Sequence, residues 1–147
     1  GFTDSQMPAG SVLQVVQGTN TNTANGGFLG ESSSSSWNAI ALSAAITPSS
    51  TSSKILINIR TIGTRASHSS YTIYGGGSNI GGSTYGMVRF TGANTAWDTQ
   101  ILLSYLHSPS TTSAITYQLY GRSESGTLYT GGDGDAISCI ILQEIAG

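Results

Sequence analysis

The fold class of this chain is indicated by the stretch Pro109-Ser110-Thr111-Thr112-Ser113-Ala114-Ile115-Thr116-Tyr117-Gln118-Leu119-Tyr120. A proline opens a run of small hydroxyl residues, and the run leads into a strand with an apolar residue at every second position. The segment from Pro48 to Ile59 follows the same plan. Proline fixes φ, serine and threonine hydrogen-bond their own backbone in turns, and β-branched residues fit a pleated surface. The pair predicts an all-β fold in which the two segments begin corresponding strands of two sheets.

Apolar residues recur along the whole chain with a period of two rather than 3.6, which predicts strands and no helix. Stretches rich in serine, asparagine and glycine, among them 19–27 and 31–36, separate the strands. About eight to ten short strands joined by such turns are typical of an antiparallel β-sandwich of the jelly-roll type. We expect one such domain over residues 1–147, with residues 1–10 as an N-terminal extension or linker. The expected strands are 12–16, 37–46, 55–60, 71–73, 85–90, 101–105, 115–119, 127–130 and 136–145.

The last expected strand, from Ala136 to Ile145, is apolar on both faces. Ile140 and Leu142 point to one side. A second group points to the other side and consists of Ile137, Cys139, Ile141 and Ile145. A strand that is apolar on both faces is usually central and covered twice. In a small sandwich the second cover is often another subunit, so the strand indicates an oligomer.

The composition excludes several classes of function. Charged residues make up 8% of the chain, against about 25% in ordinary soluble domains. The net charge is −2 and the five basic residues are scattered, whereas a nucleic-acid interface needs a basic patch to neutralise phosphates. No apolar stretch reaches the roughly 18 residues that span a bilayer, so we expect no membrane insertion. The single cysteine, Cys139, closes no intrachain disulfide, and we expect it to be a small core residue.

No constellation in the sequence predicts catalysis or a cofactor. Asp98, His107 and Ser108 could be drawn together as a hydrolytic triad, but no segment resembles a nucleophile elbow. The segment from Gly131 to Asp135 carries two carboxylates, but the other oxygen ligands of a calcium loop are missing. A glycine-rich turn with solvated acids is the better interpretation. We therefore expect a protein that is not an enzyme and that has no cofactor and no bound metal.

Aromatic residues are the better candidates for function. Six of them lie at expected strand ends or beside glycines, where we expect them to be exposed: Tyr71, Tyr74, Tyr85, Trp97, Tyr120 and Tyr129. Such side chains stack on sugar rings or pack against a protein partner. Trp97 is followed by Asp98, an aromatic residue beside an acceptor. Tyr74, Tyr85, Trp97, Asp98 and Tyr129 are the residues that we predict to contact a receptor or glycan; for any single aromatic residue, packing at the rim of the core is the more frequent role, and it is the group that indicates a binding surface.

Four blocks of the sequence resemble a domain of tailed bacteriophages, especially those of cyanobacterial and marine hosts, found in tail fibres and other virion appendages. The blocks are Met7 to Val16, Leu42 to Ile57, Tyr105 to Tyr117 and Leu142 to Gly147. They keep the family's order and extend from end to end of the chain. The stretch from His68 to Trp97 has no counterpart in that pattern, and in an attachment domain it would hold the specificity loops.

The resemblance implies a non-enzymatic virion protein, a β-sandwich that forms a homotrimer and works with other virion proteins. It leaves open whether the appendage belongs to the tail fibre, the baseplate or the capsid. Attachment to a host-surface polysaccharide is the leading hypothesis. The alternatives are a capsid decoration, head-fibre or assembly protein without a receptor role, and a lectin-like carbohydrate-binding domain outside any virus.

Overall fold

The computed structural model describes residues 7–20, 30–32, 35–64, 68–91, 99–131 and 137–147, and these form two antiparallel β-sheets packed face to face. The described residues contain strands and turns but no helix, hence none long and apolar enough to cross a membrane. The antiparallel β-sandwich predicted from the sequence is confirmed. The strands are β1 (Val12–Asn20), β2 (Gly30–Ser32), β3 (Asn38–Ile46), β4 (Lys54–Thr64), β5 (His68–Gly75), β6 (Ser78–Asn79), β7 (Val88–Thr91), β8 (Thr99–His107), β9 (Ile115–Ser125), β10 (Leu128–Thr130) and β11 (Ser138–Ile145).

Each sheet is built around long interior strands. In the first sheet β4 pairs with β8 on one side and with β11 on the other, and β11 pairs in turn with β1. The short strand β10 pairs with the last two residues of β4, beyond the end of the β11 pairing, and β2 pairs with β10. In the second sheet β9 lies between β3 and β5, and β5 also pairs with β6 and β7. The proline-opened segments thus lead into interior strands of different sheets, β4 in the first and β9 in the second.

The hydroxyl-rich turns before β4 and β9 contain the same type of hydrogen bond, from a backbone N–H to a hydroxyl side chain. The backbone N–H of Ser52 donates to Oγ of Ser50 at 3.2 Å, and the N–H of Ser113 donates to Oγ1 of Thr111 at 3.0 Å. Both bonds join residue i+2 to the side chain of residue i, as in the turns that serine and threonine favour. This local chemistry explains why the same residue pattern precedes a strand twice.

The hydrophobic core lies between the two sheets and is made by alternate residues of each strand. Ile55, Ile57 and Ile59 of β4 are at most 2% exposed. Tyr117 and Leu119 of β9 face them from the second sheet, as the alternation predicts. Burying one such side chain stabilises a fold by about 1.5–3 kcal/mol. The alternation in β11 is also as predicted, because Ile140 and Leu142 are buried in the core while Ile141 points outward.

A buried carboxylate ties the Pro48 turn to the first sheet. Glu144 on β11 is 1% exposed. Its Oε1 accepts from the N–H of Ser49 at 2.6 Å and from Oγ of Ser49 at 2.7 Å, and its Oε2 accepts from Nε2 of Gln14 at 2.5 Å. Burial opposes ionisation of Glu144, but the hydrogen bonds from Ser49 and Gln14 outweigh it and hold the pKa below its ordinary value. The charge is therefore retained inside the sandwich by donors that the turn supplies.

Some local predictions were wrong. Strand β1 continues to Asn20, and β2 lies in a stretch expected to be a loop, because both find partners that are distant in sequence. Strand β7 begins at Val88 rather than at residue 85, since the preceding residues form a covering loop. Cys139 is not a core residue: it lies on the outer face of β11 and is half-buried.

Candidate functional site

The outer face of the second sheet carries a group of aromatic and charged side chains that contact one another. Alternation along β9 brings Tyr120, Arg122 and Glu124 to this face, because their neighbours Leu119 and Ser123 point into the sandwich and are buried. The register places Thr72 of β5 opposite Tyr120 and Ser70 opposite Arg122. We call this group the aromatic–arginine surface; it consists of Trp37, Tyr74, Tyr85, Arg89, Tyr120, Arg122 and Glu124.

Two tyrosines at one end of this surface stack on each other. The rings of Tyr74 and Tyr120 lie nearly parallel, with centroids 3.8 Å apart and an interplanar angle of 18°. They sit diagonally across the β5–β9 pair, a distance that aromatic side chains span. Each ring therefore shields one face of the other, and the pair presents a fixed apolar platform.

A loop from Ile80 to Met87 folds over the second sheet and buries its polar centre. The N–H of Met87 donates to the carbonyl of Tyr71 at 2.8 Å, and Oγ1 of Thr72 donates to Oδ1 of Asn79 at 2.7 Å. Gly86 has φ of +65°, and a Cβ there would come 2.7 Å from the ring of Trp37. Only glycine allows this close approach at positive φ. The loop is thereby held on the sheet with Tyr85 at its outer edge.

Two arginines, one carboxylate and the ring of Tyr85 form a connected group. Glu124 accepts from Nη2 of Arg89 at 2.7 Å and from Nη2 of Arg122 at 2.6 Å. These hydrogen bonds, from Arg89 first and Arg122 second, hold the pKa of Glu124 below its ordinary value. The guanidinium of Arg89 also lies 4.0 Å above the ring of Tyr85, and that of Arg122 lies 5.2 Å from the ring of Trp37. Both distances are within the range of cation–π contacts.

The predicted contact residues are divided between different parts of the molecule. Tyr74 and Tyr85 belong to the aromatic–arginine surface. Tyr129 lies elsewhere: its neighbours on β10, Leu128 and Thr130, are buried, so its side chain points to the outer face of the first sheet. Trp97 and Asp98 lie outside the described residues, as does the acidic turn at 133–135.

Tyr71 was wrongly expected to be exposed, and several members of the surface were not predicted as contacts. Tyr71 points into the core, is fully buried, and hydrogen-bonds Oγ1 of Thr130 at 3.1 Å. Arg89 and Glu124 were not singled out because they are 35 residues apart and meet only through strand pairing. The alternation of Tyr120, Arg122 and Glu124 along one strand was the signal that could have revealed part of the group.

His107, a member of the triad considered in the sequence, contacts the core tyrosine Tyr117. Its Nδ1 lies 2.8 Å from Oη of Tyr117 at the end of the sandwich. Burial lowers the pKa of His107 and raises that of Tyr117, so Tyr117 stays protonated and can donate to a neutral imidazole. Within the described part of the chain no group of three or more histidine, cysteine, aspartate or glutamate side chains could hold a metal ion.

No protein-family model matches the chain, and no curated protein does. Among solved structures, it is similar to a chain in the structure of the Gx strain of infectious bursal disease virus, with 13% sequence identity and a TM-score of 0.35. The match covers 96% of this chain and 37% of the viral chain. A TM-score of this size does not establish a common fold.

Proposed function

We propose that this chain is a non-enzymatic structural protein of a phage virion, a fibre or appendage domain that attaches to polysaccharide on the host surface. The resemblance of four ordered sequence blocks to phage appendage domains supports the virion role, and the β-sandwich is compatible with it. The proposal includes a homotrimer located on the tail fibre, baseplate or capsid.

The observation that carries the attachment role is the aromatic–arginine surface. Tyr85 is 46% exposed and fixed beneath Arg89, so an accessible aromatic ring lies beside a guanidinium whose position is set. Glu124 is held by two arginines, and its remaining lone pairs can accept from ligand hydroxyls. A polyhydroxylated ligand needs both features, since its C–H faces pack on rings and its hydroxyls need charged or polar partners.

The predicted affinity of one such surface is low, and repetition compensates for it. A small, open platform buries little of a sugar, whereas three copies on one particle raise the effective concentration of the second and third contacts. An uncharged polysaccharide would also tolerate the mixed signs of Arg89, Arg122 and Glu124 better than a polyanion would.

The test is binding of the whole chain to a panel of purified bacterial lipopolysaccharides and capsular polysaccharides, measured by biolayer interferometry. We expect Tyr85→Ala to weaken binding about two- to tenfold, because aromatic contacts contribute about 0.5–1.5 kcal/mol. Tyr105→Ala is the matched control, because it removes a tyrosine of similar exposure from β8 of the other sheet. A wild-type chain that binds none of the panel, or equal losses in the two variants, would contradict the attachment site.

The virion role is tested separately by electron microscopy of particles that encode the chain, labelled with antibody against it. Labelling at the fibre, baseplate or capsid supports the proposal and selects the location. Labelled particles combined with no polysaccharide binding would favour the decoration or assembly role, and unlabelled particles would overturn the virion assignment.

A further inference from the structure

The outer face of the first sheet carries apolar side chains that are open to solvent. Leu102, Val15 and Leu106 are 64, 57 and 49% exposed. Ile141 and Leu56 are half-buried on the same face. The register aligns this face in three cross-strand rows: Val15, Gln143, Leu56 and Leu106; then Gln17, Ile141, Asn58 and Ser104; then Thr19, Cys139, Arg60 and Leu102. We call these twelve residues the apolar face.

The apolar face has almost no charge with which to select a partner. Among its twelve residues Arg60 is the only ionisable side chain apart from the thiol of Cys139, and none is acidic; Lys54 lies on the same outer face, opposite Ile145 in the row beyond Leu56. Nη2 of Arg60 donates to the carbonyl of Ile137 at 3.2 Å, so the guanidinium is already tied to its own sheet. Charge depletion with exposed aliphatic residues is the composition of an interface core rather than of a rim. A partner that fits must itself be apolar and uncharged there.

The whole outer face of these four strands, of which the apolar face is the middle, is large enough for association of two copies. Strands lie about 4.8 Å apart and rise about 3.3 Å per residue, so this outer face, about nine residues long and including Val12, Ile145 and Lys54 beside the apolar face, covers roughly 19 by 30 Å. The projected area of about 570 Å² is a lower bound, because side chains that stand on a sheet expose more surface than their projection. Two such faces together bury about 1,200 Å² or more, which reaches the range of specific interfaces. Exposed apolar patches of a few hundred Å² already mark interaction sites on monomers.

The middle of the apolar face is recessed and apolar side chains are exposed around it. This depression has a volume of about 440 Å³ and is lined by side chains of β4, β8 and β11, including Asn58, Ser104, Cys139 and Ile141. Leu102 on β8, which lines the depression, Val15 on β1 and Leu106 on β8 are the exposed large apolar side chains of the apolar face. Apolar side chains of the same kind on a second copy would be suitable groups to cover the depression.

We propose that the apolar face is the surface through which copies of this chain associate, with β11 at its centre and the leucines of β8 at its rim. The number of copies rests on the homotrimer of the proposed function, whereas the location of the contact does not. This assignment also leaves the aromatic–arginine surface, on the opposite sheet, free to face outward in the assembly.

The experiment is light scattering coupled to size exclusion, with the full chain at several micromolar concentrations. We expect the wild-type mass to be a multiple of the 15.1 kDa protomer. Leu102→Glu and Leu106→Glu, tested separately, each place a carboxylate in the contact, and we expect each to raise the dissociation constant about hundredfold because an unpaired buried charge is strongly unfavourable. Ala45→Glu is the control, since it adds the same charge at an exposed position on β3 of the other sheet.

Cys139 supplies a second readout. It is the only cysteine and lies on the apolar face, so its reaction with a maleimide should be slow in the assembled wild type and faster in the two leucine variants. Circular dichroism establishes that each variant is folded before its mass is compared.

The outcomes separate this proposal from the proposed function. Loss of mass in the leucine variants but not in Ala45→Glu supports the apolar face, and a wild-type mass of two rather than three protomers then overturns only the trimer. A wild-type oligomer that both leucine variants retain, with Cys139 equally reactive throughout, overturns the apolar face alone. A wild-type monomer overturns both the apolar face as a contact surface and the homotrimer of the proposed function.

Discussion

Replacing Glu144 with glutamine tests whether a buried carboxylate fastens the Pro48 turn to the first sheet. Oε1 receives two hydrogen bonds from Ser49, and Oε2 receives one from Nε2 of Gln14. That Nε2 also donates to the carbonyl of Thr47 at 2.7 Å, so both of its hydrogens are in use. Glutamine offers one oxygen and one N–H₂ group in place of two oxygens, and therefore cannot satisfy both sets of donors.

The expected loss of stability in Glu144→Gln can be estimated from these hydrogen bonds. Hydrogen bonds to a charged group contribute about 1.5–3 kcal/mol each, and a buried donor without a partner costs about 1–3 kcal/mol. If the oxygen of the new glutamine stays with Ser49, its N–H₂ group faces that of Gln14, and one buried donor loses its acceptor. The hydrogen bonds that remain also lose their charged acceptor and become weaker. We therefore expect Glu144→Gln to lower the free energy of unfolding by about 2–4 kcal/mol at pH 7.

Urea denaturation followed by circular dichroism measures this difference at one fixed protein concentration. The folded pKa of Glu144 lies below its unfolded value, so its contribution is complete above an unfolded pKa of about 4.3 and is lost as the pH falls through the folded pKa. The gap between wild type and Glu144→Gln should therefore be constant at neutral pH and should narrow below about pH 4. Glu124→Gln, an exposed glutamate on the other sheet, is the control and should change stability less. A Glu144→Gln variant within about 0.5 kcal/mol of wild type, or a gap unchanged at pH 3, would refute the reasoning.

Two further predictions concern close contacts within the fold. A Cβ on Gly18 of β1 would overlap the carbonyl oxygen of Ser43 on β3, so Gly18→Ala should lower the free energy of unfolding by about 1–3 kcal/mol in urea titration. Thr116→Ala, at an exposed position on β9 of the other sheet, should change the free energy of unfolding by less than about 0.5 kcal/mol; equal effects of the two substitutions would contradict the contact. Burial lowers the pKa of His107 beside Tyr117, so the unfolded chain takes up a proton first and stability should decline as the pH falls below the unfolded value of about 6.5. His107→Gln should remove that decline from thermal melts recorded between about pH 7.5 and 5.5, and a decline that persists in the variant would assign it to other groups.

The sequence was sufficient to predict those features of the fold that depend on interactions between residues close together along the chain. Alternation of apolar residues identified the core face of β4 and both faces of β11, because side chains of a strand point to opposite sides with a period of two. The proline and hydroxyl residues before β4 and β9 predicted turns that the structure contains, since their hydrogen bonds join residues two apart. The two-sided apolarity of β11 likewise predicted apolar side chains on the outer face of the first sheet, where Ile141 lies.

The tertiary structure decided everything that depends on which strands meet. Alternation shows that Tyr71 and Tyr74 lie on opposite faces of a strand, but only packing against the other sheet made the face of Tyr71 the buried one. The bonds from Glu124 to Arg89, and from Glu144 to Ser49, join residues 35 and 95 positions apart. Strand pairing brings such residues together through backbone hydrogen bonds that any sequence can make, so no local pattern marks the partners. The sequence therefore determines which residue types are available for the aromatic–arginine surface and the apolar face. Their assembly on opposite sides of the sandwich is determined only by the tertiary structure.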